Sequence, residues 1–222
     1  MKVIVTGATG MIGKGVLLEC LQHKDITEVL SISRKSLGMN HPKLKELIHR
    51  DFSEFESVKD SLKGYDAAYC CMGVSAASLS ELEYTKLTYD FTMALAKVLL
   101  KLSPMMTLVY VSGQGTDSSE KGKLMWARVK GKLENDLLKI GFKGAYMYRP
   151  GGIIPLKGIQ PSSKLYRVLI NNLKWLLYLI KWISPNSIVN TAQIGLSMIN
   201  VAKNGYSKPI LNPEDMIISA KN

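Results

Sequence analysis

The sequence predicts a doubly wound α/β domain, a parallel sheet with helices on both faces. Three observations carry that prediction. Strand-like and helix-like segments alternate from the first residues onward. Several strand segments are apolar at consecutive positions, the mark of strands covered on both faces. A glycine-rich turn then links the first strand to the first helix.

In chain order, strands are expected at 3–6, 28–33, 46–50, 66–71, 107–112 and 144–149. Helices are expected at 11–23, 54–63, 79–102 and 121–140. The β-α alternation places consecutive strands in parallel, because a crossover helix returns the chain to the same edge. Residues 151–222 read as a helical elaboration on the carboxyl side of the sheet, over a core of residues 1–150. The whole chain reads as one domain. Its 222 residues suffice for a hydrophobic core without staples.

Composition narrows the function classes. Hydrophobic residues make up 46% and charged residues 21%, as in ordinary globular proteins, so a disordered chain is excluded. Three cysteines, of which Cys70 and Cys71 are adjacent, exclude a disulfide scaffold and point to a reducing, cytoplasmic setting. The three His and three Cys show no ligand spacing, so no metal site is expected. The run at 3–6 breaks at Gly7 and is too short for a secretory signal.

The net charge of +11 admits a nucleic acid, an anionic membrane or a phosphorylated ligand as partner. No nucleic-acid-binding motif is present. The basic excess also splits nearly evenly between 1–160 and 161–222, which favours a phosphate-bearing ligand over a specific nucleic acid.

The turn reads Thr6-Gly7-Ala8-Thr9-Gly10-Met11-Ile12-Gly13. Gly7 permits a tight turn off the strand, and Gly10 lets backbone amides approach a pyrophosphate. Gly13 lets the helix pack closely. The helix N-terminus at Met11 and Ile12 offers free N–H groups and a partial positive charge to phosphates. This is a dinucleotide-binding turn. At the end of the second strand, where an NAD site carries a carboxylate for the ribose 2′-OH, the chain has Ser33-Arg34-Lys35. A guanidinium there suits a 2′-phosphate, so NADP is expected over NAD.

The pattern Thr6-Gly7-x-x-Gly10-x-x-Gly13 resembles the short-chain dehydrogenase/reductase superfamily, in particular its extended and atypical members. Among these, the epimerase/dehydratase-like and Tat-interacting-protein-like proteins are the most similar. The resemblance implies a Rossmann fold and continues through about 150 residues. It sets Asp51-Phe52 against adenine, and places Cys71-Met72-Gly73 where the family backbone passes the cofactor. Ser112 stands at the active-site serine and Lys130 at the family lysine, which binds the nicotinamide ribose. Pro150-Gly151 matches the turn after the sixth strand, and 191–211 the closing helix and strand.

The family's proton donor is a Tyr one helical turn before the Lys. Trp126 occupies that position, and an indole N–H donates without titrating near neutral pH. Tyr84 and Tyr89, on the preceding helix, a water on Lys130, and solvent itself are alternative proton sources. Two classes therefore stay open. One is an NADP-dependent reductase or epimerase-like enzyme on a small carbonyl or hydroxyl compound. The other is a non-catalytic, NADPH-responsive regulatory protein.

Residues 163–183 form a bulky apolar stretch with a basic stripe at Lys164, Arg167, Lys174 and Lys181. Its longest uninterrupted run, 175–180, is far short of the roughly 20 residues that span a bilayer. A lid over an apolar substrate pocket, a homo-oligomer face and a peripheral membrane helix are the three uses open to it.

Overall fold

The computed structural model describes residues 1–159 and 186–221. The stretch 163–183, with its basic stripe, lies outside the described residues. Seven parallel strands form the main sheet: β1 Lys2–Thr6, β2 Glu28–Ser33, β3 Leu44–Ile48, β4 Ala67–Cys70, β5 Thr107–Val111, β6 Gly144–Tyr148 and β9 Ile210–Leu211. Their spatial order is β3-β2-β1-β4-β5-β6-β9. The order reverses direction between β1 and β4, and in open α/β sheets ligands bind at the carboxyl ends beside that switch. A separate parallel pair joins β7 Gly152–Ile154 to β8 Ile188–Asn190.

Among the described residues the α-helices are α1 Met11–Gln22, α2 Glu81–Thr85, α3 Phe91–Leu102, α4 Met125–Lys139, α5 Thr191–Asn204 and α6 Pro213–Ser219. One face of the sheet buries Val3, Val5, Tyr69, Val109 and Tyr148 with α1 and α5. The other buries Ile4, Ile32, Ala68, Leu108 and Met147 with α3 and α4. Side chains alternate between these two apolar layers, which is why the strands read as continuous apolar runs. Helices α1 and α5 approach closely through glycines: a Cβ at Gly15 would lie 2.6 Å from the Thr191 Cβ.

Local chemistry sets the helix ends. Ser80 and Glu83 form a capping box at α2, as Asn190 and Gln193 do at α5. Four elements differ from expectation. The third strand lies two residues earlier than 46–50. The expected helix 54–63 is a 3₁₀ helix, Glu56–Leu62. The expected helix 79–102 is three pieces, with a π-helical stretch Lys86–Asp90 between α2 and α3. The expected helix 121–140 starts only at Met125, because the Asp117 carboxylate holds the Gly122 amide at 2.7 Å in a loop.

Candidate functional site

The carboxyl ends of β1, β2 and β4 meet around the glycine turn. Gly7 sits at φ +72°, a conformation that L side chains rarely adopt, and a Cβ there would lie 2.6 Å from the Cys71 carbonyl. The Gly10 amide donates to the Gly7 carbonyl at 2.9 Å, closing the turn. A Cβ on Gly13 would overlap that same carbonyl, so the helix packs directly on the loop. Helix α1 begins with no side-chain cap and no acidic residue in its first turn. Its N-terminal amides are therefore presented toward the loop without an internal competitor.

A cavity of about 250 Å³ opens at this point. Gly7, Thr9 and Gly10 form one wall, Ser33 and Arg34 the second, and Cys71, Met72 and Gly73 the third. Phe52 lines it together with Ile32, Leu87 and Phe91, and Phe52 and Phe91 stand 6.2 Å apart between ring centres. These side chains give the cavity an apolar side that suits the face of a flat heteroaromatic base, and Arg34 lines the same cavity.

Other expected binding residues lie off the cavity wall. Thr6 is buried beneath the turn. Met11 and Ile12 pack toward the core from the start of α1. Lys35 is exposed, and its carbonyl accepts the Ser33 hydroxyl at 2.6 Å. Asp51 does not line the cavity and accepts the Ser53 amide at 2.9 Å. Hydrogen bonds from Ser53 hold its carboxyl below the usual range. The Pro150 carbonyl accepts the Gln114 amide at 2.9 Å, and Gly151 lies against the Gln114 side chain. Pro150 and Gly151 thus shape the loop after β5 and line neither cavity.

A second cavity, of about 530 Å³, adjoins the first through Val74, which lines both. Its walls are Ser75, Ala76, Ala77, Tyr84, Met125, Trp126 and Lys130. Trp126 stands one helical turn before Lys130, and a Cβ on Gly115 would lie 3.2 Å from its ring. The absence of that Cβ gives the indole its resting place. The Lys130 ammonium donates to the backbone carbonyl of Ser112. Burial lowers its pKa to about 8, against the opposing pull of the Glu134 carboxylate.

The Ser112 side chain does something other than expected. Its hydroxyl donates to the Glu134 carboxylate and lies 3.1 Å from the Tyr148 carbonyl. It does not line either cavity. Glu134 is fully buried, and Arg149 grips it through Nε, 3.1 Å from each carboxylate oxygen, and through Nη2. In this structure Ser112 does not open onto the Lys130 cavity. Its hydroxyl satisfies a buried carboxylate, and its carbonyl anchors Lys130. Glu134, four residues after Lys130 on α4, is committed to Ser112 and Arg149. Its place in the buried stripe Ala127, Gly131, Glu134, Leu137 is the sequence signal for that role.

Tyr84 and Tyr89 separate. Tyr84 is 2% exposed and lines the Lys130 cavity. Tyr89 donates to Asp136 at 2.6 Å, under the Lys132 ammonium, and does not line that cavity.

Comparison with known proteins agrees with this geometry. The NAD dependent epimerase/dehydratase family matches residues 3–119, just over half of the chain. The chain is 26% identical over 156 residues to Protein FMP52, mitochondrial, of Debaryomyces hansenii, covering 69% of this chain and 67% of that one. It is 23% identical over 154 residues to Protein HTATIP2 of Rattus norvegicus, covering 68% and 62%. Among solved structures it is similar to a short-chain dehydrogenase/reductase family oxidoreductase from Burkholderia thailandensis. That likeness has a TM-score of 0.70 and 13% identity, and covers 98% of this chain and 92% of that one. It is also similar to ElxO with NADP bound, with a TM-score of 0.68 and 17% identity over 98% of both chains.

The FMP52 relatives are named as mitochondrial, which overturns the cytoplasmic location expected from the cysteines. Reduced thiols report a reducing compartment and do not distinguish one such compartment from another. The matched residues hold the glycine turn, the apolar side of the first cavity and the strand end at Ser112, and the chain belongs to the NAD dependent epimerase/dehydratase family.

Proposed function

We propose that this chain is an NADP(H)-dependent reductase or epimerase-like enzyme acting on a small carbonyl or hydroxyl compound with an apolar body. The observation that carries this reading is the adjoining pair of cavities: a phosphate-cradling turn with an apolar side in one, and Lys130 in the other. A nicotinamide dinucleotide held here supplies or accepts a hydride. The chain's own residues do the rest. The turn 7–10 and the α1 amides hold phosphate, Phe52 and Phe91 form the apolar wall against the base, and Arg34 pairs with a 2′-phosphate. Lys130 has three N–H donors, of which Ser112 takes one, leaving the others for a ribose hydroxyl and a substrate oxygen. Val74, Ala76, Ala77, Met125 and Trp126 supply an apolar wall suited to a small apolar substrate.

Parallel titration with NADPH and NADH tests the cofactor. NADPH should bind at least tenfold tighter, and Arg34→Ala should remove most of that preference. Equal affinities for the wild type defeat the NADP assignment.

A second reading has its own support. Trp126 replaces the family Tyr, and Ser112 is turned onto Glu134, so two of the three usual catalytic side chains are not available as such. On that reading the chain binds NADPH and responds to it without turnover. NADPH consumption in the presence and absence of a carbonyl panel separates the two.

A further inference from the structure

Resting on the reductase reading, we propose that Lys130 is itself the proton-donating catalytic residue of the second cavity. It would replace the tyrosine that Trp126 displaces.

The cavity wall offers exchangeable protons at Ser75, Tyr84, Trp126 and Lys130. An indole N–H does not exchange as an acid near neutrality, and a serine alcohol is no better. Tyr84 keeps its proton more firmly than a free phenol, because burial raises it. No carboxylate lines this wall among the described residues. Lys130 alone combines a place on the wall with titration near the working pH, the condition for efficient acid–base catalysis.

Its setting explains why it is poised. Glu134 lies one turn further along α4, but its charge is spent on Arg149 from the end of β6 and on the Ser112 hydroxyl. Tyr84 from α2 faces it as a neutral phenol, and Tyr110 on β5 is buried and held neutral beside Tyr84 and Glu134. Desolvation therefore outweighs the attraction of Glu134. The Ser112 carbonyl fixes the ammonium without neutralising it.

The step balances simply. Reduced nicotinamide dinucleotide supplies the hydride to the carbonyl carbon. The carbonyl π bond opens and its electron pair moves to oxygen, which takes the proton from Lys130 Nζ. The broken N–H bond leaves its electron pair on nitrogen as the neutral amine. Water then reprotonates the amine.

The decisive measurement is a ¹³C-lysine NMR titration of the full chain, with the Lys130 signal assigned by its loss in Lys130→Met. One lysine should titrate near pH 8, while exposed lysines titrate near about 10.4. Turnover of NADPH with benzaldehyde and cyclohexanone provides the second arm. The rate should fall as pH rises through the same midpoint, because the acid form is being lost. Lys130→Met and Lys130→Arg should each lose at least a hundredfold in kcat while retaining wild-type circular dichroism. A Lys130 midpoint above about 10, or kcat in either variant within threefold of wild type, overturns the proposal. Failure of the wild type to bind NADPH sinks the reductase reading instead, and the lysine titration still decides the state of Lys130.

Discussion

Ser112→Ala separates a catalytic serine from a structural one. The sequence position argues for the first role and the geometry for the second. The substitution removes a hydroxyl that donates to a fully buried carboxylate and lies 3.1 Å from the Tyr148 carbonyl. A hydrogen bond to a charged group contributes about 1.5–3 kcal/mol. Glu134 keeps Arg149, so the loss stays within that range and does not reach the cost of an orphaned charge. For a domain of this size each kcal/mol lowers Tm by about 2–4 °C, which gives a fall of about 3–12 °C. The Lys130 anchor is the Ser112 backbone carbonyl, and alanine keeps it. NADPH affinity should therefore stay within threefold of wild type, and turnover should fall less than tenfold. Thermal melts, urea unfolding and NADPH oxidation measure these quantities on one preparation. An unchanged Tm with turnover down by a hundredfold or more would refute the reasoning and return Ser112 to the reacting atoms.

Three further substitutions test other parts of the site. Gly13→Ala drives a methyl into the Gly7 carbonyl, with backbone on both sides unable to yield. It should cost about 1–3 kcal/mol in urea unfolding and at least tenfold in NADPH affinity. Glu134→Gln and Arg149→Met should each destabilise by about 3–5 kcal/mol by leaving a buried partner unpaired. The double variant should recover part of that, whereas strictly additive losses would show that the two groups are uncoupled. Trp126→Tyr puts a phenol one turn before Lys130 and should raise turnover with a carbonyl panel at least tenfold in NADPH oxidation.

The sheet was legible because parallel strands buried on both faces leave continuous apolar runs, as at Val3-Ile4-Val5 and Leu108-Val109-Tyr110. That the glycine turn, Arg34, Phe52 and the 71–73 segment come together around one cavity was legible, because their places are tied to strand ends. Side-chain direction was not. Ser112 follows the last residue of β5, and its orientation is decided by a buried carboxylate 22 positions later. No local pattern around Ser112 encodes that contact. Tyr84 and Tyr89 lie on either side of the break between α2 and the π-helical stretch, which no helical period announces. Only the tertiary structure shows which side holds Lys130 and which holds Asp136. The strands β7 and β8 are three residues each, and neither is long enough to show a period. Helix α6 did carry a signal, since Asn212, Pro213 and Asp215 make a capped start, and the apolar run after it is short.

A lysine poised in an apolar cavity leaves a trace in stability that needs no substrate. In the unfolded chain Lys130 titrates at about 10.4. In the folded chain, burial brings it to about 8. Below both values the two states bind the same proton, and the folded state carries the full cost of a desolvated ammonium. Between about 8 and 10.4 the unfolded chain binds more protons than the folded one, so stability rises with pH in that window. At 1.36 kcal/mol per unit, the gain from pH 7 to pH 10 is about 2 kcal/mol. Buried thiols, raised by desolvation in the folded chain, also ionise in this window once unfolded, so the wild type alone cannot report it. The difference between wild type and Lys130→Met does, because every other group is common to both. Methionine keeps the length and loses the charge, and the lost hydrogen bond to Ser112 shifts the difference by a largely constant amount. Urea unfolding of both proteins at pH 7, 8, 9 and 10 should show wild type gaining on the variant by about 2 kcal/mol across the series. A difference that stays flat within about 0.5 kcal/mol would mean that Lys130 titrates like a surface lysine, and the poised amine would have to be abandoned.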